Sequence, residues 1–207
     1  MPDPRTQIVA DGYDAIGETF AAWREEIVGD PRREWEDELV ARLEPQARVL
    51  ELGCGPGTAE TRRLAARFRL TGVDISPKQI ERARASIPEA AFVCADFTGL
   101  ELPTGSFDAV CAFYVFNHVP RDLLGPLLSR IHGWLVPYGL LLTAFGVSDL
   151  EGWTGEWLGA ETFFSSFPAE VNSRLVREAG FAIERDEVVT FDEPEGPARF
   201  QWVLARA

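Results

Sequence analysis

Along the first 44 residues the apolar positions recur at helical spacing. Ile16, Phe20, Trp23 and Ile27 follow one another three and four apart, which predicts an amphipathic helix. The chain breaks at Gly29-Asp30-Pro31. Trp35, Leu39, Val40 and Leu43 then mark a second helix that stops before Pro45. From about residue 47 the period changes. Short continuous apolar runs at 47–52, 69–74, 91–94, 107–113 and 140–145 read as buried strands. Between them lie helical segments at 57–68, from Pro77 onward, and at 121–135. Ser76-Pro77-Lys78-Gln79 opens its helix with a capping residue, a proline at the first position and a capping-box glutamine. Pro137-Tyr138-Gly139 reads as a turn.

Strands alternating with helices predict an α/β fold: a doubly wound, mostly parallel sheet under helices on both faces. The ending differs. A helix near 168–179 is closed by Gly180 and followed by strand-like runs at 181–191 and 198–206, joined by the turn-rich Asp192–Pro197. That arrangement predicts an antiparallel pair. Residues 146–167 fit no element cleanly. They carry Trp153, Trp157, Phe163, Phe164 and Phe167 among glycine, serine and threonine. A loop of this length in a compact domain is usually functional, which suggests a lid or the wall of a substrate pocket. Core or homodimer packing is the other use of such a segment. The expected organisation is one domain: a helical cap at 1–44, a core at 45–145, the aromatic segment at 146–167, and a C-terminal helix and strand pair at 168–207.

Composition narrows the function. The net charge is −13, from 20 Lys and Arg against 33 Asp and Glu. That balance disfavours nucleic acid and anionic membranes as partners. Cys54, Cys94 and Cys111 form no C-x-x-C pair, and His118 and His132 stand apart, so no zinc-site spacing exists and no metal is expected. The thiols read as small buried groups in a reducing compartment. No apolar run is long enough to span a membrane, and the N-terminus does not read as a signal peptide, so a cytoplasmic location is expected.

The chemistry sits at strand ends. The first strand ends in Glu51 and runs into Gly53-Cys54-Gly55-Pro56-Gly57; the second ends in Asp74, and the third leads to Asp96. In open parallel sheets, ligands bind at the carboxyl ends of strands. Glycines let a ligand approach the backbone, and the helix that follows offers free N–H groups and a positive dipole end. Asp74 can accept from two ribose hydroxyls, Asp96 can reach an adenine amino group with Phe97 covering the ring, and Glu51 can orient the loop or a cationic amine. A nicotinamide dinucleotide would want G-x-G-x-x-G, whereas this loop is G-x-G-x-G, and it would need neither Glu51 nor Asp96.

These features, with Gly72–Ser76, Phe107–Val110 and the Pro137–Gly139 turn into a strand, make the chain resemble the class I S-adenosylmethionine-dependent methyltransferases over nearly its whole length. The resemblance implies a seven-stranded Rossmann-like sheet with an antiparallel C-terminal strand, S-adenosylmethionine as cofactor, and methyl transfer to a small molecule. It also implies that Glu51, Gly53, Cys54, Gly55 and Gly57 line the methionine part, that Asp74 takes the ribose with Ile75 flanking the adenine, and that Asp96 and Phe97 contact the adenine. Ala112 and Phe113 would approach the sulfonium, and Tyr13 would lie over the cofactor. Cofactor binding without turnover and nicotinamide-dependent oxidoreduction are the alternatives. His118, at the entry to a helix after the fourth long strand, is the candidate general base. Relatives often carry a histidine where this chain has Ser166, in Phe163-Phe164-Ser165-Ser166-Phe167. Trp153, Trp157, Phe163 and Phe164 are the candidate substrate-pocket residues.

Overall fold

The computed structural model describes residues 3–207, the side chain of Glu18 excepted. Met1 and Pro2 of the expected N-terminal cap lie outside the described residues. Three helices come first: α1 (Pro4–Ile16), α2 (Glu18–Glu25) and α3 (Arg32–Arg42). The first of the two expected helices is divided at Gly17, whose φ of +54° interrupts the helical path.

The alternating core follows as β1 (Arg48–Leu52), α4 (Ala59–Arg67), β2 (Arg69–Asp74), α5 (Pro77–Ser86), β3 (Ala91–Cys94), β4 (Phe107–Phe113), α6 (Arg121–Trp134) and β5 (Leu135–Gly146). A 3-10 turn at Phe116–His118 precedes α6. The expected turn at Pro137–Gly139 is a local irregularity inside β5, marked by a φ of +67° at Tyr138. Then come β6 (Leu150–Trp157), β7 (Ala160–Ser166), α7 (Ala169–Glu178), β8 (Ala182–Glu193) and β9 (Gly196–Arg206).

Seven strands form one sheet in the order β3-β2-β1-β4-β5-β9-β8. The β1, β2, β3, β4 and β5 pairings are parallel, and β9 runs antiparallel to both β5 and β8. The strand order reverses between β1 and β4, so the crevice for a ligand opens at their carboxyl ends.

The period-two alternation of β1 sorts its side chains between two cores. Leu50 and Leu52 join Val110, Ala112 and the apolar stripe of α6, whereas Val49 joins Trp35, Leu39 and Leu64 of α3 and α4. Glu51 therefore points to the α3–α4 side, among groups those helices supply.

Residues 146–167 are not a structureless lid. They include the antiparallel hairpin β6–β7, a two-stranded sheet of its own. Its turn, Leu158-Gly159, has φ values of +51° and +82°, the sense of twist that suits a two-residue hairpin. A second departure concerns Cys94, expected to be buried. It is exposed because β3 is the edge strand, while Cys54 and Cys111 are buried.

Candidate active site

A cavity of about 320 Å³ opens at the β1–β4 crevice. Its floor is the loop after β1. Gly53 has φ +68°, and a Cβ there would lie 2.4 Å from Val115 Cγ2, so only glycine fits. Gly55 faces open space, with nothing within 4 Å of an added Cβ. Cys54 and Thr58 complete this floor, Thr58 as the N-cap of α4. Gly57 is off the wall: it abuts Ala83 and Ile87, so its role is packing against α5.

Asp74 ends β2 with both carboxylate oxygens braced by backbone, accepting from Gly55 N at 2.9 Å and Ser76 N at 2.9 Å. Burial raises its carboxyl above the ordinary range, and those N–H donors act the other way. Each oxygen keeps a lone pair for a ligand hydroxyl. Asp96 Oδ1 accepts from Thr98 N at 2.8 Å and Thr98 Oγ1 at 2.6 Å, which leaves Oδ2 unpartnered among the described residues. Ile75 and Phe97 lie on the same wall, and Phe113 flanks it from β4. Ala112 does not. It is fully buried in the α6-side core, because alternation along β4 turns it away.

Glu51 lies beneath the floor, off the cavity wall. Its Oε1 accepts from Arg32 Nη2 at 2.7 Å and Thr61 Oγ1 at 3.1 Å, and Arg32 Nε also reaches Glu36 Oε1 at 2.8 Å. Burial pushes the Glu51 carboxyl up to about 7, despite the nearby guanidinium. Of the two expected roles, orienting the loop or a cationic amine, this placement favours the first, with Arg32 of α3 as the cation Glu51 meets.

Tyr13 and His118, far apart in the chain, meet at the roof, with Tyr13 Oη 2.9 Å from His118 Nε2. His118 Nδ1 lies 2.8 Å from the Phe163 carbonyl oxygen. A carbonyl only accepts, so Nδ1 holds the proton and Nε2 accepts from the tyrosine hydroxyl. His118 is 8% exposed, and burial lowers its pKa to about 4. Burial also pushes the Tyr13 phenol upward. Both groups are neutral at pH 7. Tyr13 is held in place by contacts between α1 and α5, among them Asp14 Oδ1 with Ser76 Oγ.

The hairpin covers one end of the cavity. Trp157 and Phe164 line it, the Phe164 ring centroid 4.6 Å from that of His118 and the two planes tilted by 43°. Phe163 is buried and contributes its carbonyl. Trp153 is 42% exposed and faces a separate open groove that Ser166 also lines. Phe20, Trp23, Arg24, Tyr114, Phe191, Glu193 and Phe200 also line the cavity, although none was a candidate site residue. Phe20 and Trp23 were legible only as a helix face. Arg24 and Glu193 carried no local motif.

Residues 49–139 match the family described as Methyltransferase domain. These residues, somewhat under half of the chain, thus carry the sequence signature of a methyltransferase domain. A trans-aconitate 2-methyltransferase of Methylobacterium radiotolerans is 39% identical over 109 residues, 50% of this chain and 40% of that one. The match spans 38 to 48% of the length of the trans-aconitate methyltransferases it covers. The fold carries further. A Methanosarcina mazei S-adenosylmethionine-dependent methyltransferase superposes with a TM-score of 0.72 at 16% identity, covering 82% of this chain and 96% of that one. A Burkholderia thailandensis 1,6-didemethyltoxoflavin-N1-methyltransferase, solved with 1,6-didemethyltoxoflavin and S-adenosylhomocysteine, superposes with a TM-score of 0.65 at 22% identity, covering 96% and 90%. Both superpositions extend the methyltransferase fold well beyond the matched domain.

Proposed function

We propose that this protein is an S-adenosylmethionine-dependent methyltransferase that acts on a small-molecule acceptor in the cytoplasm. The observation that carries the reading is the single cavity with two unlike ends. One end is loop backbone with Asp74 and Asp96, and the other is walled by aromatic rings.

The residues present fit the cofactor. Asp74 would accept from the ribose hydroxyls. Asp96 Oδ2 and Phe97 would take the adenine, with Ile75 beside it. The Gly53–Gly55 backbone would run along the methionine half. Arg24 stands at the edge of ion-pair range from Asp30 and Glu60, 4.0 and 3.9 Å, and is available for the cofactor's carboxylate.

The cofactor supplies a methyl group already activated by its sulfonium. What remains for the protein is alignment and exclusion of water. Phe20, Trp23, Trp157 and Phe164 form the dry wall. We assign His118 a positioning role in place of the expected general base. Its Nε2 lone pair is already engaged, and a pKa of about 4 makes it a weak base at neutral pH. It fixes the Tyr13 hydroxyl over the cavity.

The net charge of −13 supports a small acceptor over nucleic acid, and the free cysteines support a reducing compartment. Among the described residues no helix is long and apolar enough to cross a membrane. Isothermal titration with S-adenosylmethionine tests the reading, with NADH as control. Micromolar binding is expected. Asp74→Ala should weaken it about 100-fold, the loss of two hydrogen bonds to a charged acceptor. No binding, or a preference for NADH, overturns the proposal.

A further inference from the structure

The aromatic end of the cavity has a chemical bias of its own. Glu193, at the last position of β8, lines both the cavity and the open groove beside it, so it stands at their junction. Its carboxylate has no hydrogen-bond or ion-pair partner among the described residues. The tip that carries it is pinned to the α2–α3 linker by paired backbone hydrogen bonds, Val28 N to Asp192 O at 2.9 Å and Asp192 N to Val28 O at 3.0 Å.

The aromatic side chains around it spend their polar atoms elsewhere. Trp23 Nε1 donates to Glu195 at 2.9 Å, and the Tyr114 hydroxyl donates to Asp30 Oδ1 at 2.5 Å. Phe191 and Phe200 stack on each other, with centroids 5.6 Å apart. The cations of the cavity wall serve other groups. Arg32 belongs to Glu36 and Glu51, and Arg24 lies toward Asp30 and Glu60 on the glycine-loop side. Arg199 lines the outer groove and not the cavity.

We propose that the methyl acceptor is a small molecule that carries a protonated amine, this ammonium group being bound facing Glu193 between the aromatic walls. This rests on the methyltransferase reading of the same cavity. A cation gains from aromatic faces and from an unpaired carboxylate together, and an anionic group gains from neither. A polycarboxylate would set its charges against Glu193, with Asp30 and Glu195 behind it. Burial and those two carboxylates push Glu193 up to about 7, so its charged form lacks the counter-charge that a bound base would bring.

The test is isothermal titration of the S-adenosylhomocysteine-loaded protein with three probes: 2-phenylethylamine, 3-phenylpropionate and trans-aconitate. In the parent the amine should bind at least about 10-fold tighter than either acid. Glu193→Gln should bring amine and 3-phenylpropionate to within about threefold, and Glu193→Lys should reverse their order. Affinity for S-adenosylhomocysteine should be the same in all three proteins. The proposal is overturned if an acid binds as tightly as the amine, if Glu193→Gln keeps the preference, or if the amine fails to bind up to about 10 mM. Failure to bind S-adenosylhomocysteine instead removes the methyltransferase reading, and this inference with it.

Discussion

The buried Tyr13–His118 pair makes a quantitative demand on stability. His118 is held neutral, its pKa drawn from 6.5 down to about 4 by burial. Unfolded, the imidazole takes a proton near 6.5. Between these values the unfolded chain binds more protons than the folded one, so stability rises with pH. The contribution is complete above 6.5 and is lost as pH falls toward 4. It amounts to at most about 3 kcal/mol, of which about 2 kcal/mol falls between pH 5 and 7. Glu51 works in the opposite direction. Its carboxyl is raised from 4.5 to about 7, so its contribution is lost as pH rises through that window. The parent's own pH profile therefore mixes two opposed slopes. Comparison with His118→Gln separates them, because glutamine does not titrate and Glu51 is unchanged. Urea unfolding of both proteins at intervals from pH 5 to 8 gives the difference directly, clear of the isoelectric point near 4.6. The stability gap between parent and variant should widen by about 2 kcal/mol from pH 5 to 7 and then level off. A gap that stays flat to within about 0.5 kcal/mol would refute the neutral, buried imidazole.

Two further outcomes follow from the packing. Arg32→Met should cost about 3–5 kcal/mol in urea unfolding, because it leaves Glu51 buried without its cation and Glu36 with Arg63 alone, and adding Glu51→Gln should recover part of the loss. A cost below about 1 kcal/mol would mean that water reaches this group. At the hairpin tip, Leu158 holds a φ of +51°, which a leucine adopts at a penalty and an asparagine tolerates. Leu158→Asn should raise stability by about 1 kcal/mol, measured by thermal melting, and no gain would mean that the leucine side chain's packing outweighs its backbone strain.

Much of the core was legible because its signals are local. Ser76-Pro77-Lys78-Gln79 caps a helix by its own backbone chemistry, and Ser76 Oγ does accept from Gln79 N at 3.1 Å. The hairpin was missed for a different reason. Trp153 and Trp157, and Phe163 and Phe164, put aromatics on both faces, so no clean alternation showed, and the Leu158-Gly159 turn lacks the usual asparagine or aspartate. Pro137–Gly139 reads as a turn in the sequence, yet β5 runs through it with only a positive φ at Tyr138, because Leu135 and Leu140 on either side both pair with β4.

The sequence by itself determined the strand-end positions of Asp74 and Asp96, the glycine loop between strand and helix, and the antiparallel ending, since each depends on residues within a few positions of one another. Tertiary structure alone decided which groups share a space. It brought the Phe163 carbonyl to His118 and so chose the tautomer that receives Tyr13. It turned Glu51 toward Arg32 and away from the ligand cavity. It set Glu193, Trp23 and Phe200 around one end of that cavity. These juxtapositions join residues some 20 to 170 positions apart, and neither periodicity nor spacing encodes contacts made by packing across a sheet and a hairpin.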